Sequence, residues 1–362
     1  MNESEHFDVA VIGTGPAGQR AAIQAAKAGK RVIAIDRQRF VGGEAVQRGT
    51  IPSKTLREAV VHLTGVGQRA FYGRSYRVLS HITMADLTQR TAHVVQAEVE
   101  VVRDAFLRND VEIAIGSAHF IDPHRLAING EVSRRELSAD RIILAVGSKP
   151  VRPSGVPFDD RQIADSDDIL ALGDIPKSLT VVGAGVVGCE YASVFAALGV
   201  PVTLIDGRTQ LLEFVDSEIS EALKFRMRED GITLRLGHNV ASVELDSRGR
   251  VVAVLETGAR VVSDTMMYAI GRQGATAALN REAADLAPDK RGRLAVNEHY
   301  QTECGAHLRG GRRHLRSGAR SHRGGARQAG RPPRGRAGIS PHFRAVADRH
   351  LHAAGDLASG ED

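Results

Sequence analysis

Two copies of one sequence pattern constrain the fold of this chain more than any other feature. In each copy an apolar run leads into Gly-x-Gly-x-x-Gly, then into a helical stretch and a second apolar run that ends in an aspartate. Strand, glycines, helix, strand and acid in this order predict a βαβ unit that binds a dinucleotide. The sequence therefore predicts an α/β fold with two Rossmann-like domains. The residues are Gly13, Gly15, Gly18 and Asp36 in the first copy, and Gly183, Gly185, Gly188 and Asp206 in the second.

The residue types in this pattern each have a chemical reason. The glycines allow a tight turn, the approach of a pyrophosphate and close packing of the helix, whose N-terminus attracts phosphate. Asp36 suits the hydroxyls of a ribose, and Asp206 favours an unphosphorylated ribose, hence NAD. Arg208 lies two residues further on and either pairs with the 2′-phosphate of NADP or is a solvated surface charge. A turn without any ligand is the bland alternative for each glycine pattern.

The rest of the sequence predicts further helices and strands. Residues 82–109 have helical periodicity and few breakers, which predicts one long helix. Short β-rich runs predict strands at 111–115, 125–128 and 141–146, and again within 243–255 and 264–272.

Composition restricts the class of protein. No apolar run is long enough for a membrane span, and the polar start Met-Asn-Glu-Ser-Glu-His does not resemble a signal peptide, so we expect a cytoplasmic protein. We also expect no metal site. Two cysteines are too few for a disulfide framework. Cys189 lies in a predicted helix that packs on the second sheet, where we expect a small buried residue and not a redox thiol. Cys304 has no evident partner.

The end of the sequence differs in composition from the rest. The net charge of +5 conceals a body that is mildly acidic, because from Gly305 onward there are 12 arginines, no lysine and 4 acids. Residues 305–340 contain three large aliphatic residues and no aromatic one, which predicts disorder. Arg-Gly-Gly at 309–311 and 323–325 resembles RNA-binding segments, but the stretch lacks interleaved aromatic residues, so nucleic acid is the less favoured partner.

Further motifs support a family resemblance. Gly42-Gly43, Gly49-Thr-Ile-Pro-Ser-Lys54, Gly147-Ser148 and Ala269-Ile-Gly271-Arg272 occur together with the two glycine patterns. Over residues 5–303 the chain resembles the flavoproteins with two dinucleotide-binding domains, the pyridine nucleotide-disulfide oxidoreductases. The resemblance implies FAD in the first unit, NAD or NADP in the second, and Lys54 meeting Glu190 beside the flavin N5. It implies cofactor contacts at Gly13, Gly15, Gly18, Asp36, Gly42, Gly43, Lys54, Gly116, Gly147, Gly183, Gly185, Gly188, Asp206, Arg208, Gly271 and Arg272.

The same resemblance implies a domain organisation. Residues 1–150 correspond to the FAD-binding domain, 151–272 to the NAD(P)-binding domain and 273–303 to a partial return to the first domain. The family is homodimeric through a C-terminal domain, and we expect that domain to be absent here, because 304–362 is an Arg/Gly-rich tail.

One departure from the family restricts the chemistry. Ala45 and Thr50 occupy the positions of the two redox cysteines, so the dithiol is absent. Thr50 in the Ile-Pro-Ser-Lys motif is most similar to the transhydrogenase branch of the family, although that branch ordinarily keeps the first cysteine. The resemblance therefore implies hydride transfer between NADPH and NAD, of the Si-specific type, with impaired activity in this chain. A dihydrolipoyl dehydrogenase-like reductase with a degenerate centre and an inactive product are the alternatives.

The tail is consistent with a shifted reading frame. With one choice of synonymous codons, skipping a base within Leu308–His314 gives Tyr-Ala-Ala-Gly-Asp-Val, which resembles the family's remaining FAD contact. The same treatment of Arg344–His352 gives Glu-Pro-Leu-Pro-Ile-Gly-Ile-Tyr, which resembles the start of the dimerisation domain. Two matches in one frame and in the right order place the shift between Thr302 and Leu308.

Overall fold

The first sheet is built around a parallel core. The computed structural model describes residues 5–65 and 82–302, and the backbone of 307–309. The strands are β1 Glu5–Ile12, β2 Val32–Asp36, β3 Glu112–Ile115, β4 Ser117–Asp122, β5 Arg125–Asn129 and β6 Arg134–Leu144. Their order is β3-β2-β1-β6-β5-β4, with β1 to β3 and β6 parallel and the β4–β5 and β5–β6 pairs antiparallel. All five residues of β2 are buried, as expected for a strand covered on both faces.

The helices that the described residues of this first unit form are α1 Pro16–Lys27, α2 Gly43–Gln47, α3 Thr50–Thr64 and α4 Met84–Leu107. Pro16 starts α1, where its missing N–H is no loss, and small residues such as Ala21 and Ala25 let the helix lie close to the sheet. α4 begins with a capping box in which the side chains of Thr83 and Asp86 each accept a hydrogen bond from the other's backbone N–H.

The second unit repeats the arrangement with a purely parallel sheet. Its strands are β8 Ile163–Asp165, β9 Leu179–Val182, β10 Val202–Asp206, β11 Thr233–Leu236 and β15 Thr265–Tyr268, in the order β11-β10-β9-β15-β8. The helices are α5 Val186–Ala197 and α6 Ser217–Glu229. A separate antiparallel sheet consists of β12 Val240–Leu245, β13 Val251–Leu255 and β14 Arg260–Ser263. The glycine turn of each unit thus lies at the carboxyl ends of parallel strands.

A small sheet of two strands, far apart in the sequence, joins the two units. It pairs β7 Ser148–Pro150 with β16 Arg272–Gly274 in antiparallel fashion. The guanidinium of Arg272 donates to both carboxylate oxygens of Asp167, at 2.7 and 3.1 Å, and to the carbonyl and hydroxyl of Ser148. This network connects the strands of the junction to the segment that follows β8.

A last short strand, β17 His307–Arg309, lies parallel to the end of β6, with His307 opposite Ile142. It pairs with residues 142–144 of β6, a part of the strand that β5 does not reach, because β5 pairs only with residues 134–138.

The structure confirms the α/β class and the two Rossmann-like units. The predicted helix over 82–109 is α4, and the run 243–255 is two strands separated by a turn in which Asp246 accepts from the backbone of Arg248 and Arg250. The prediction missed the first half of β6, the strands β4, β7, β8, β11 and β14, and the helices α2 and α6. The predicted disorder of the tail, the Arg-Gly-Gly segments beyond residue 309 and Cys304 lie outside the described residues. No helix in the described ranges is long and apolar enough to span a bilayer.

Candidate dinucleotide sites

The first and third glycines of each pattern are fixed by packing. A Cβ at Gly13 would lie 2.2 Å from the carbonyl oxygen of Ala145, and one at Gly18 would lie 1.8 Å from that of Gly13. Gly183 and Gly188 repeat these contacts, at 2.5 Å from the oxygen of Ala269 and 1.8 Å from that of Gly183. Gly13 and Gly183 also have φ angles of 106° and 111°, which L side chains rarely adopt. Both turns therefore require glycine for steric reasons.

The middle glycines of the two turns differ in their surroundings. Gly15 lies beneath the loop before α2, because a Cβ on Gly43 would come within 2.7 Å of its Cα. A Cβ added at Gly185 would meet nothing within 4 Å. The first turn is thus covered by another part of the chain, whereas the second is open.

Asp36 is held by neutral donors in the first unit. Its carboxylate accepts hydrogen bonds from the backbone N–H of Thr14 (2.9 Å), the hydroxyl of Thr14 (2.5 Å) and the backbone N–H of Gln38 (3.0 Å). The Thr14 hydroxyl oxygen in turn accepts from the N–H of Gly42 at 3.0 Å. Thr14, which is fully buried, therefore connects the acid, the glycine turn and the Gly42-Gly43 loop.

Asp206 is held by a guanidinium in the second unit. Nε of Arg208 donates to Oδ1 at 2.9 Å and Nη2 to Oδ2 at 2.7 Å, while the N–H of Ala184 donates to Oδ2. Burial opposes ionisation of Asp206, but the hydrogen bonds from Arg208 and Ala184 outweigh it and hold the pKa of this carboxyl below its usual value. Arg208 is therefore not a free surface charge.

Lys54 and Glu190 bring the two units together. Lys54 lies on α3 and Glu190 on α5, and the lysine Nζ forms an ion pair with Oε1 of the glutamate. The glutamate side chain is 18% exposed and the lysine 54%, so the pair faces an open region between the helices. The two side chains are in contact, and their place beside the flavin N5 stays a prediction.

The other predicted residues contribute mainly to the backbone framework. The N–H of Gly116 donates to the carbonyl of Asp36 at 2.8 Å, and the carbonyls of Gly147 and Gly271 accept from Ala275 and Val151. The guanidinium of Arg272 is committed to Asp167 and Ser148 at the junction. Its role as a cofactor contact stays a prediction.

The positions of the family's cysteines carry no sulfur. Ala45 lies within α2, and Thr50 is the first residue of α3. Cys189 is buried on α5, with its thiol 3.5 Å from the carbonyl of Ala184, and burial raises its pKa to about 11. The expectation of a small buried residue is confirmed, since such a thiol is unreactive.

Sequence reasoning missed several residues of the sites. Thr14 is the variable residue inside the glycine pattern, and Lys224 and Ser220 belong to α6, where they donate to loop carbonyls. A hydroxyl next to the first glycine would have been a usable signal for Thr14. No feature of the sequence marks Lys224 as part of a site, because a lysine in a helix is ordinarily solvated.

The arrangement fits two dinucleotides. Each glycine turn opens a helix that has no acidic residue in its first turn, so its N–H groups are available to phosphate. Each following strand ends in a buried aspartate that suits a ribose. Within the described residues no group of His, Cys, Asp and Glu could hold a metal ion.

The family profile described as "Pyridine nucleotide-disulphide oxidoreductase" matches residues 7–306. The chain belongs to this family. Members of the pyridine nucleotide-disulphide oxidoreductase family are flavoproteins that use FAD and pyridine nucleotides.

Within the family, the chain is similar to proteins named soluble pyridine nucleotide transhydrogenase. The chain is 48% identical over 299 residues to the soluble pyridine nucleotide transhydrogenase of Mycobacterium bovis, which covers 82% of this chain and 64% of that protein. It is 40% identical over 304 residues to the enzyme of the same name from Colwellia psychrerythraea, covering 84% of this chain and 65% of the relative. The chain thus spans slightly less than two thirds of the length of these curated relatives.

Solved structures show the same fold. The HOCl-induced flavoprotein disulfide reductase RclA from Escherichia coli superposes with a TM-score of 0.74 at 26% identity, covering 84% of this chain and 65% of that one. Its copper(II) complex gives a TM-score of 0.73 at 27% identity, covering 85% and 66%.

Proposed function

We propose that this chain carries FAD in its first unit and NADP(H) or NAD(H) in its second, and that its activity is hydride transfer between NADPH and NAD. The observation that carries the proposal is the junction of the two units. There Lys54 is paired with Glu190, while Ala45 and Thr50 stand where the family's dithiol would be. The names of the relatives in Mycobacterium bovis and Colwellia psychrerythraea support the same reaction.

The two units have distinct tasks in this proposal. The first, with Asp36 bound by Thr14 and Gln38, holds FAD, which when bound would accept a hydride from one nicotinamide and return it to another. The second receives the nicotinamide nucleotides in turn. Val186 and Val187, exposed at the start of α5, offer an apolar surface that excludes water from the nicotinamide side.

The ion pair has an electrostatic task. With FAD bound, the ammonium of Lys54 would stabilise negative charge on the flavin, and Glu190 orients that ammonium. No side chain of the chain itself needs to take up electrons. Since positions 45 and 50 hold no thiol, the route to a disulfide substrate is closed, which separates this reaction from that of the disulfide reductases.

The test is to follow the hydride itself. The full chain, reconstituted with FAD, is incubated anaerobically with NADPH deuterated at C4 and with NAD; NADH is quantified, and the NADP that is formed is analysed by mass spectrometry. We expect one NADH for each NADPH consumed, and loss of the deuterium from NADPH only when the label is at the pro-S position, as the Si-specific type requires. No NADH with a fully flavin-loaded chain, or loss of the label from the pro-R position, would contradict the proposal.

A matched pair of variants locates the reaction at the junction. Lys54→Met removes the charge and should lower the transfer rate by roughly a hundredfold to a thousandfold, the range for losing one preorganised electrostatic contact. Lys30→Met, at an exposed lysine paired with Asp8, should leave it unchanged. An equal effect of both variants would show that the rate does not depend on the ion pair.

A reductase with a degenerate centre is the alternative enzyme. It would show a thiolate-to-flavin charge-transfer absorption on partial reduction, and we expect none because neither Ala45 nor Thr50 supplies a thiolate. We also expect weak retention of FAD, since the family's Gly-Asp pair does not follow soon after Thr302, and we interpret the later Gly355-Asp356 as a coincidence. Purification with one FAD per chain would contradict the weak retention and leave the hydride test unaffected.

A further inference from the structure

Helix α6 presents an apolar row to solvent. Ile219 is 62% exposed and Phe225 is 63% exposed, and Ala222 between them is exposed as well. Their spacing of three residues places them on successive turns of one side of the helix. Phe214, on the segment that leads into the helix, is 75% exposed. Two phenylalanines and an isoleucine exposed within twelve residues are a concentration of apolar surface, which marks an interaction site more often than a solvated helix.

The opposite side of α6 is fixed to the second unit. Ser220, Lys224 and Met227 are buried on that side. The Ser220 hydroxyl donates to the carbonyl of Leu211 at 2.8 Å, and the Lys224 ammonium donates to the carbonyl of Thr209 at 3.1 Å. These contacts prevent the helix from turning about its axis to bury the apolar row. The row is therefore a constant feature of the surface of this unit.

The charged residues beside the row are divided between the two halves of the helix. Glu218 and Glu221 precede Ala222, whereas Arg226 and Arg228 follow it, and all four are exposed. The helix dipole favours this distribution, because acids stabilise the N-terminus and bases the C-terminus. The dipole does not explain the apolar residues between the charges. The same distribution also makes this face complementary to a second copy of itself that runs in the opposite direction.

A two-fold axis at Ala222 would bring opposite halves of two such helices together. In this antiparallel arrangement, residues equally distant from Ala222 on its two sides lie level with each other in the two copies. Glu218 and Arg226, each four positions away, form one such pair of opposite charge. Ile219 and Phe225, each three positions away, form an apolar pair. The small side chain of Ala222 at the centre allows the helices to approach closely.

The guanidinium of Arg226 can take part in this pairing without losing its present partner. Its Nε and Nη2 atoms donate to the carboxylate of Asp230, at 3.2 and 3.0 Å, and its side chain is 61% exposed. A guanidinium carries five N–H donors, so the contact with Asp230 uses two of them. Glu229, the acid that ends the helix, is seven positions from the centre and would lie level with the partner's Val215, so it does not oppose an acid.

We propose that two copies of this chain associate through α6, antiparallel about a two-fold axis at Ala222. Such a contact uses the same patch on both copies and closes as a dimer. One helix face is a small surface, and interfaces below about 1,200 Å² belong to the weak, transient class. We therefore expect a reversible dimer that forms at high protein concentration. The inference goes beyond the proposed function, because no cofactor or nucleotide takes part in the contact.

The first test is sedimentation velocity of the full chain over about a hundredfold range of concentration, in which the sedimentation coefficient should rise towards that of a dimer. Phe225→Ala should raise the dissociation constant of the dimer about tenfold or more, because aromatic side chains at the centre of an interface carry much of its binding energy. Leu245→Ala, at an exposed leucine of β12, is the matched control and should leave the dissociation constant unchanged.

Charge reversal then distinguishes the antiparallel pair from any other association. Glu218→Arg and Arg226→Glu each place like charges level with each other, so each alone should weaken the dimer about fivefold. The variant with both changes restores opposite charges and should recover most of the affinity. Circular dichroism at low concentration checks that each variant keeps its fold. A chain that stays monomeric throughout, a dimer that Phe225→Ala leaves intact, or no recovery in the double variant overturns the proposal.

Discussion

The two dinucleotide units share a framework and differ in what holds their acids. In both, the first and third glycines are packed against backbone oxygens at nearly the same distances. In the first unit Asp36 is bound by backbone N–H groups and the buried hydroxyl of Thr14, none of which can leave without disturbing the fold. In the second unit Asp206 has the corresponding backbone donors, the N–H groups of Ala184 and Arg208, but its side-chain partner is the guanidinium of Arg208, which can leave. The comparison separates an acid whose partners are all fixed by the fold from one whose side-chain partner is partly exposed.

The largest loss of stability should come from substitutions of the glycines that both units share. Gly18→Ala and Gly188→Ala each place a Cβ 1.8 Å from a backbone oxygen, so each should destabilise its unit by about 3 kcal/mol or more. Thermal unfolding followed by circular dichroism checks this. Gly155→Ala, where a Cβ meets nothing within 4 Å, is the control and should be nearly neutral. Tolerance of either glycine variant would show that the shared geometry is not required.

A smaller loss of stability should come from removing the hydroxyl that binds Asp36 in the first unit. Thr14→Val keeps the shape of the side chain but removes the hydroxyl that bonds Asp36 and accepts from Gly42, leaving buried groups unpaired. The free energy of unfolding should fall by about 1–3 kcal/mol, measured by chemical denaturation. Thr14→Ser retains the hydroxyl and should recover most of the loss. If the valine variant were as stable as the parent, Thr14 would not be what fixes the first acid.

The smallest effect should distinguish the second unit, and it depends on pH. The folded pKa of Asp206 lies below the ordinary value of 3.8, so its stabilising contribution is complete above about pH 4 and is lost as the pH falls through the folded value. Because Arg208 is partly exposed, Arg208→Ala should cost about 1 kcal/mol or less at neutral pH and still less near pH 3. Denaturation of both proteins at the two pH values tests it. A difference that grows in acid would contradict the sign.

The sequence was sufficient to predict the glycine turns, strands and aspartates of both units, because the signals for them lie close together in the chain. Glycine spacing, apolar strands and terminal aspartates act within about 30 residues, the length of one βαβ unit. The ion pair of Lys54 and Glu190 was reachable only through the family resemblance, since 136 positions separate its members.

What the sequence could not supply is the choice among partners. Arg208 left two interpretations open because its nearest acid, Asp206, was already assigned to a ribose, and only coordinates show the guanidinium lying on that acid. Lys224 was missed for a related reason. Its ammonium is buried by the loop it supports, and burial of a lysine depends on tertiary packing, not on helical periodicity.

The contact of Gly43 with Gly15 has a consequence for how the holoprotein is assembled. In our proposal a ligand at the first glycine turn would lie under a loop that Thr14 fastens through Gly42. A ligand at Gly185 would meet no such cover, because the surface there is open. We therefore expect slow exchange of the ligand at the first site and fast exchange at the second.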